Sequence, residues 1–414
     1  MILYAGVDLG TGYSVSAVAD EEGEYISRMR SEVLGIREFK RVFGMKKSNL
    51  QDAYTPYDTV EDKDGYCLIT KTVSPDKVSV SPEDLMIQML NRIDIPKDTR
   101  TVLTCPSHFT ETQRRLLKSV GKLSHLDVVR VMSEPTAAAV GSDMKGVGVV
   151  VDVGSGTTDC SIVEIDDIVF EVLHSSGDMF LGGLDLDNKL GSEEEKLAIR
   201  TPNSEIDEFS CKVLRCIKKT FISAKMSYSD VEWILLCGGT CQGFIGECIR
   251  KTVISGLNVD EHIVKMACDP LHIIAKGALK ICRSICEKSS EKGNILVLDC
   301  IHNSIGIRTF SGQHIIIPKG TKLPATAEEN FKRAVDDVEG PAEVDVTVVE
   351  GDHPDMRLCE VLDKSTFLLD GILNIRVEVD VYCNITITST EKKSGRESVR
   401  KVVFRSEKNG RTGA

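Results

Sequence analysis

Two short stretches of this chain have a composition suited to holding an anion beside a metal. Asp8-Leu9-Gly10-Thr11-Gly12 and Asp152-Val153-Gly154-Ser155-Gly156 each follow an apolar run and precede another. The glycines permit positive φ and let backbone N–H groups approach a ligand closely. Successive N–H groups then form a nest for phosphate oxygens. The aspartate at the end of each strand offers hard oxygens to Mg2+ or to its water shell. One such turn is no more than a glycine-containing hairpin. Two at matching positions, with Gly238-Gly239 as a third turn, predict a polyphosphate clamp and a duplicated half-domain.

These turns need strands to carry them. Thr101–Cys105 and Val128–Met132 read as short buried strands, with helices predicted over Glu111–Gly121 and from Pro135 to Val140, where proline is tolerated in the first turn. Val147–Val153 and Ser161–Ile165 read as strands around the second glycine turn. Ile206, Phe209, Val213, Leu214, Ile217 and Phe221 recur at helical spacing. Trp233–Cys237 is an apolar strand running into Gly238. Strands alternating with helices imply an α/β layer architecture. The pattern changes after about Ser289. An apolar run, Ile295–Leu298, leads into Ile305–Phe310, His314–Ile317, Val344–Val349, Ile372–Val379 and Cys383–Thr388, several of which alternate apolar and polar residues as half-buried antiparallel strands do. The expected division is an α/β domain over 1–288, an apolar linker over 289–299 and a β-sandwich over 300–414.

The bulk properties narrow the function classes. The 414 residues suffice for two or three domains. With 51 basic and 63 acidic residues the formal charge is −12, against the basic footprint that nucleic-acid binding requires; no specific DNA partner is expected. No stretch reaches the ~18–20 apolar residues of a membrane span. The start, MILYAGVDLG, reads as a strand entering a turn and lacks the charged region and cleavage site of a leader, so a cytoplasmic location is expected. There are 14 cysteines and no C-x-x-C pair. Cys237 and Cys241, and Cys282 and Cys286, stand four apart; reduced thiols packed as small hydrophobes are the preferred reading over zinc ligands.

The motifs VDLGTGYS (7–14), FKRVFG (39–44), CPSHFTETQR (105–114), SEPTAAA (133–139), VDVGSGTTD (151–159), GDMFLGGLDLDN (177–188) and LLCGGT (235–240) resemble, in order, those of the seventy-kilodalton heat-shock chaperone (DnaK) family. ILVLD (295–299) is similar to its interdomain linker, and SIGIRTFSG (304–312), IIPKGTKLP (316–324) and VVEGD (348–352) to its peptide-binding sandwich. The resemblance covers nearly the whole chain. It implies an actin-like (ribonuclease H-like) nucleotide-binding domain followed by an all-β peptide-binding sandwich. It also implies ATP/ADP with Mg2+. Asp8 and Asp152 would hold the metal through water, and Gly10, Thr11, Gly12, Tyr13, Gly154, Gly156 and Thr157 would cradle phosphates, with Gly182, Gly183, Gly238 and Gly239 completing the nucleotide site. Lys40 would approach the γ-phosphate and the attacking water; taken alone it reads as a surface lysine. Glu134, alone a helix-start carboxylate, would tie the metal network to an interdomain switch relayed by Pro106 and Arg114. Ile307, Thr309, Phe310, Ala334, Val344 and Val346 match groove-lining positions for an unfolded or nascent polypeptide; as alternating strand residues they equally read as core.

The chain departs from the resemblance in three places. The segment between Asn188 and Ile206 is too short for the subdomain that clasps adenosine. Gln242 stands where an adenine-stacking arginine is expected, and Leu271 where a later aspartate is expected. The sequence stops after the sandwich, so the helical lid is expected to be missing; the lobe around 45–75 also looks trimmed. The phosphate end is thus intact and the nucleoside end stripped, and ATP binding and turnover are expected to be weak or lost. Lid loss and a weakened cycle, with EGDH at 350–353, resemble the ribosome-associated, non-cycling branch that partners the J-protein zuotin, which implies a J-protein and the ribosome as partners. The segment 391–411 carries eight Lys/Arg against three Asp/Glu and reads as a solvated edge or an RNA contact. The competing readings are a minimised but active ATP-driven chaperone and, from another class, an actin-fold small-molecule kinase, which the sandwich and linker disfavour. A filament protein is disfavoured by the trimmed lobe.

Overall fold

The computed structural model describes residues 3–20, 23–50, 56–73, 76–190, 203–287, 294–309, 312–332, 342–351, 359–369, 371–380 and 384–401. The chain divides into two compact units, Met1–Phe109 with Gln113–Val297, and Leu298–Ala414 with Thr110–Thr112.

The first unit contains two sheets with the same plan. In the first, β1 (Tyr4–Leu9), β2 (Tyr13–Ala19) and β3 (Glu24–Arg30) form an antiparallel meander. A small three-stranded sheet follows: β4 (Asp58–Glu61), β5 (Cys67–Val73) and β6 (Asp76–Val80). After α1 (Pro82–Leu90), the strand β7 (Arg100–Cys105) returns to lie parallel to β1; α2 (Glu111–Leu123) then leads to β8 (Asp127–Ser133), parallel to β7. The order is β3-β2-β1-β7-β8. α3 (Glu134–Gly141) precedes the second sheet: β9 (Gly146–Val153), β10 (Thr158–Asp166), β11 (Val169–Asp178), then α4 (Gly183–Leu190), α5 (Ser204–Ala224), β12 (Trp233–Cys237), α6 (Gly243–Leu257), β13 (Val264–Met266), α7 (Ile273–Cys286) and β14 (Leu296–Leu298). Its order, β13-β12-β9-β10-β11-β14, repeats the first plan with one added edge strand. In both sheets the first strand is antiparallel to the second and parallel to the fourth. Each glycine turn therefore leaves the carboxyl end of a central strand.

These strands are central because their sequences are apolar on both faces. Val149, Val150, Val151 and Val153 of β9 are all fully buried, as expected for a strand covered on two sides. α5 shows the local logic of the helices. Asn203 caps it by accepting from the Ile206 N–H at 2.9 Å, worth about 1 kcal/mol. Ile206, Phe209, Val213, Ile217 and Phe221 then form one buried stripe against the second sheet, each contributing roughly 1.5–3 kcal/mol of burial. α7 packs on α3 and on β1, where Gly277 and Gly6 admit the neighbouring backbone; a Cβ on Gly277 would lie 1.8 Å from the Ala137 carbonyl oxygen.

The second unit contains two four-stranded antiparallel sheets. One has the order β16 (Gly312–Ile317), β15 (Ile305–Thr309), β18 (Ala342–Glu350), β19 (Glu360–Leu369). The other has β17 (Ala325–Lys332), β20 (Ile372–Val379), β21 (Ile385–Glu391), β22 (Glu397–Lys401). Leu373, Ile375, Val377 and Val379 of β20 and Ile385 and Ile387 of β21 point inward to meet Ile305, Ile307, Val346 and Val348. This is the alternation that two packed sheets require.

Candidate functional site

The two glycine turns meet in a cleft of about 300 Å³ within the first unit, lined by Asp8, Gly10, Thr11, Tyr13, Lys40, Glu134, Asp152, Gly154, Gly156, Thr157, Gly183, Gly238 and Gly239 among others. Thirteen of the positions singled out in the sequence thus converge on one cavity. Gly12 and Gly182 are close by without lining it. The Gly12 N–H donates to Ser155 Oγ at 2.6 Å, and the Gly182 N–H to Asp185 Oδ2 at 2.8 Å. Gly156 packs directly on Thr11, where a Cβ would approach within 2.4 Å. Gly238 is held at φ 91° with a Cβ position 2.4 Å from Asp152 Oδ1, so only glycine fits beside that carboxylate.

Lys40 sits in a short 3-10 helix, Phe39–Val42, fixed by the burial of Phe39, Val42 and Phe43; the Phe43 ring stacks on Phe109 at 6.1 Å. Its ammonium, 5% exposed, donates to Glu134 Oε1 at 2.5 Å. Glu134 is the first residue of α3, whose N-terminus Ser133 caps by accepting from the Thr136 N–H at 3.3 Å. Thr104 Oγ1 donates to Asp8 Oδ1 at 3.5 Å. Asp152 Oδ1 is buried with no hydrogen-bond partner.

The electrostatics follow from three carboxyls and one ammonium in a buried space. Burial, then the neighbouring Glu134, push Asp8 up to about 7, against the pull of Lys40 and Thr104. Burial, then Glu134, Asp8 and Asp159, hold Asp152 well above the usual carboxylate range. Glu134 is raised by burial in spite of Lys40. Burial alone would lower Lys40, but the Glu134 and Asp8 carboxylates outweigh it and the ammonium is held above its ordinary value. Such crowding of like charge is relieved by a bound dication, which inverts the local preference for protonation. The orphaned Asp152 oxygen and an all-oxygen donor set fit Mg2+, a hard cation that keeps several waters.

Four groups that shape the site were given no individual role in the sequence reading. Arg41, 6% exposed, donates to the Gly156 carbonyl at 2.8 Å and forks onto Asp185 at 2.6 and 3.1 Å. Glu38 closes on it at 2.9 Å. Ser155 takes the Gly12 amide. The Arg28 guanidinium covers the Tyr13 ring at 4.6 Å. The lysine-arginine pair at 40–41 was the available hint, since a buried 3-10 turn must pair both cations. The lining also includes Gln242, Ile245, Leu271 and Ile274. Of the short segment expected between α4 and α5, residues 191–202 lie outside the described residues.

Pro106 and Arg114 are both buried in the segment that follows β7. Arg114 donates to the carbonyls of Phe109 and Ser107, each at 3.2 Å. Asp159 accepts from the Ser107 N–H at 2.9 Å and lies 3.3 Å from His108 Nδ1. Burial opposes its ionisation, but His108 and Ser107 outweigh it and hold it below the usual range. In the second unit Ile307 and Val346 are buried within the sandwich core, and Val344 packs half-buried against it. Thr309 Oγ1 donates to the Gly312 carbonyl at 2.7 Å. Phe310 and Ala334 lie outside the described residues, as do Asp352 and His353 of EGDH. Cys237, Cys241 and Cys282 are buried, and burial pushes the Cys282 thiol up to about 12. Among the described residues no helix is long and apolar enough to cross a membrane.

Comparison with known proteins gives these observations a family. The chain is 26% identical over 441 residues to the chaperone protein dnaK of Cyanidioschyzon merolae, covering 86% of this chain and 70% of that protein. It is 26% identical over 490 residues to the chaperone protein HscA of Xenorhabdus nematophila, covering 96% and 77%. A further relative is the heat shock 70 kDa protein 6, chloroplastic, of Arabidopsis thaliana, at 24% identity over 437 residues, covering 86% and 59%. The chain therefore spans only part of the length of these relatives. The family described as Hsp70 protein matches residues 27–194 and 203–411, nearly the whole sequence, and the chain belongs to the Hsp70 family.

Proposed function

We propose that this protein is a cytoplasmic Hsp70-family chaperone component. In this reading its cleft binds the Mg-polyphosphate end of ATP or ADP while contributing little to the nucleoside, and its nucleotide cycle is weak. The observation that carries the reading is the contrast within one cavity. The charged Asp8, Asp152, Glu134 and Lys40 line it together with Gln242 and the apolar Ile245, Leu271 and Ile274. Asp8 and Asp152 would hold Mg2+ through its waters, and the metal would neutralise the phosphate charge. Gly10, Thr11, Gly154, Gly156 and Thr157 would position phosphate oxygens, and Lys40, released in part from Glu134, would face the terminal phosphoryl group. Positioning and charge neutralisation are most of what phosphoryl transfer asks of a protein. Binding energy from remote parts of a substrate is what fixes reactive geometry. A weakly held adenosine therefore costs turnover as well as affinity, and misplacement by an ångström can cost ~100-fold.

The sandwich would hold an extended, unfolded or nascent polypeptide by strand addition and an apolar pocket, with Ile307, Thr309, Phe310, Ala334, Val344 and Val346 as groove candidates. Pro106 and Arg114 would relay nucleotide state, and a J-protein and the ribosome are the proposed partners. Calorimetry with Mg-ATP and, separately, Mg-tripolyphosphate tests the central claim. The two affinities should agree within ~10-fold, since each tenfold is only about 1.4 kcal/mol of nucleoside contact. ATP binding more than ~100-fold tighter than tripolyphosphate would replace this reading with the second one, a minimised ATP-driven motor. The intact Lys40–Glu134 pair favours that alternative.

A further inference from the structure

At the start of the second unit, Asp299, Cys300 and His302 bring three different ligand types together. The backbone here is pinned: Ile301 N–H donates to Thr321 O and Gly320 N–H to Ile301 O, both at 2.8 Å, and Leu323 N–H donates to Asp299 O at 3.0 Å. The Cys300 N–H donates to Asp299 Oδ1 at 2.9 Å. A bend at His302–Asn303 returns the imidazole over the aspartate, with Nε2 3.2 Å from Asp299 Oδ1. A carboxylate oxygen, the thiol sulfur and an imidazole nitrogen lie within 4.8 Å of one another, and all three residues are buried.

The imidazole is the group that calls for an explanation. The His302 side chain is 1% exposed, and neither ring nitrogen has a hydrogen-bond partner. The close approach to Asp299 lacks hydrogen-bond alignment. A buried polar atom left unsatisfied costs about 1–3 kcal/mol, so two on one ring point to a ligand. A full Asp299 hydrogen bond would satisfy one nitrogen and leave Nδ1 as it is.

We propose that Asp299, Cys300 and His302 form a binding site for a zinc-class divalent cation. A thiol and an imidazole beside one carboxylate select Zn2+ over Mg2+ or Ca2+, which take oxygen ligands. Bonds of about 2.0 Å to nitrogen and oxygen and about 2.3 Å to sulfur place tetrahedral ligand atoms roughly 3.5 Å apart, so rotations of about one ångström complete the geometry from the present spacing. On binding, the Cys300 S–H bond breaks, its proton goes to the buffer and a sulfur–zinc bond forms; zinc stays divalent and no electron is transferred. Among the described residues no fourth Asp, Glu, Cys or His joins the cluster; in the proposed site a water would complete the coordination. The ion would fasten the 299–302 turn where it enters β15. It is independent of the cleft in the first unit.

The test uses the full chain, freed of metal by a chelator and titrated with Zn2+ against a competing chromophoric chelator, and in parallel with Co2+. The expected result is one tight equivalent and a Co2+ form with a single thiolate charge-transfer band. That band should vanish in Cys300→Ser, and Zn2+ affinity should fall at least ~10-fold in His302→Gln. X-ray absorption on the wild-type zinc form gives a readout that needs no variant: one sulfur with nitrogen and oxygen neighbours is expected. Failure of the wild type to bind, two or more sulfurs, or folded variants that bind like the wild type would each overturn the proposal. The last two would place the metal on other thiols.

Discussion

Replacing Lys40 with methionine removes the cation that pairs with Glu134 and favours ionisation of Asp8 and Asp152. The ammonium and the Glu134 carboxylate are each 5% exposed and 2.5 Å apart, so solvent cannot take over the pairing. Breaking a buried pair from one side costs about 3–5 kcal/mol, because it strands the other charge. Methionine preserves most of the volume, which keeps cavity effects small. For a unit of this size each kcal/mol lowers Tm by roughly 2 °C or slightly less. Lys40→Met should therefore lower the melting transition of the first unit by about 6 °C or more in chelator-treated protein at neutral pH. The companion Glu134→Gln carries the logic. If the cost is a stranded carboxylate, Lys40→Met/Glu134→Gln should recover at least ~1.5 kcal/mol of the Lys40→Met loss in a double-mutant cycle. Calorimetry and denaturant unfolding both read this, and ATP turnover in Lys40→Met should fall to background. A Lys40→Met chain within ~1 kcal/mol of wild type, with no coupling to position 134, would refute the claim that this pair organises the cleft.

Stability should also depend on pH in a definite direction. The Asp8 carboxyl titrates higher in the folded chain than when unfolded, at about 7. Its protonated form therefore favours the folded state at low pH, and that contribution, at most ~4 kcal/mol, is lost as pH rises through about 7. Raising the pH from about 6 to about 8 without metal should lower Tm, Mg2+ should restore more stability at the higher value, and Asp8→Asn should flatten the dependence; a flat wild-type profile would contradict it. Gln242→Arg should raise Mg-ATP affinity ~10-fold while leaving Mg-tripolyphosphate unchanged, since a guanidinium over an aromatic face gains about 1–2 kcal/mol; equal gains for both ligands would mean a nonspecific charge effect. Arg41→Ala should cost about 2–3 kcal/mol, less than a fully buried pair because Asp185 is 31% exposed. Urea unfolding reads that loss, and an effect under ~0.5 kcal/mol would remove Arg41 from the architecture of the cleft.

Much of the fold was legible because its central elements carry strong period and punctuation. The Val147–Val153 run, the glycine turn behind it and the stripe from Ile206 to Phe221 each point to one structure, and the repeated D-x-G-x-G pattern predicted the two matching sheets. The sequence reading did not pick out β3, β4, β5, β6, β11, β13, β17, β19 and β22, and several of these lack a clear alternation. β4 and β6 are short, β5 reads CLITKTV, and β17 reads ATAEENFK with a mostly exposed pattern. Their places are set by pairing with neighbours, which a local pattern does not encode. In the cleft, Asp8 and Asp152 followed from the turns alone. Lys40 and Glu134 lie 94 positions apart; the family resemblance gave each a role at the site, and their pairing was not foreseen. Ser155 was read as one residue of a glycine turn, whereas its hydroxyl is the partner of the Gly12 amide.

That last contact bears on how the cleft would take an anion. The Gly12 N–H, expected to face phosphate, is already satisfied by Ser155 Oγ. A phosphate oxygen must compete with a well-formed hydrogen bond or rely on the remaining amides of the nest. Meanwhile Asp8, Glu134 and Asp152 are all held above the usual carboxylate range, so without a metal they resist ionising together beside the Lys40 ammonium. Both facts push in one direction. In the proposed reading a cation arriving before the phosphate, or together with it, would displace the carboxyl protons and supply the positive charge that the anion needs. Adenosine contacts could lower that threshold by adding affinity from outside the charged region. With Gln242, Ile245 and Leu271 in the lining of the same cavity, the proposed reading gives the metal most of the burden, and occupancy of the cleft should then depend on Mg2+ concentration more than on nucleotide identity.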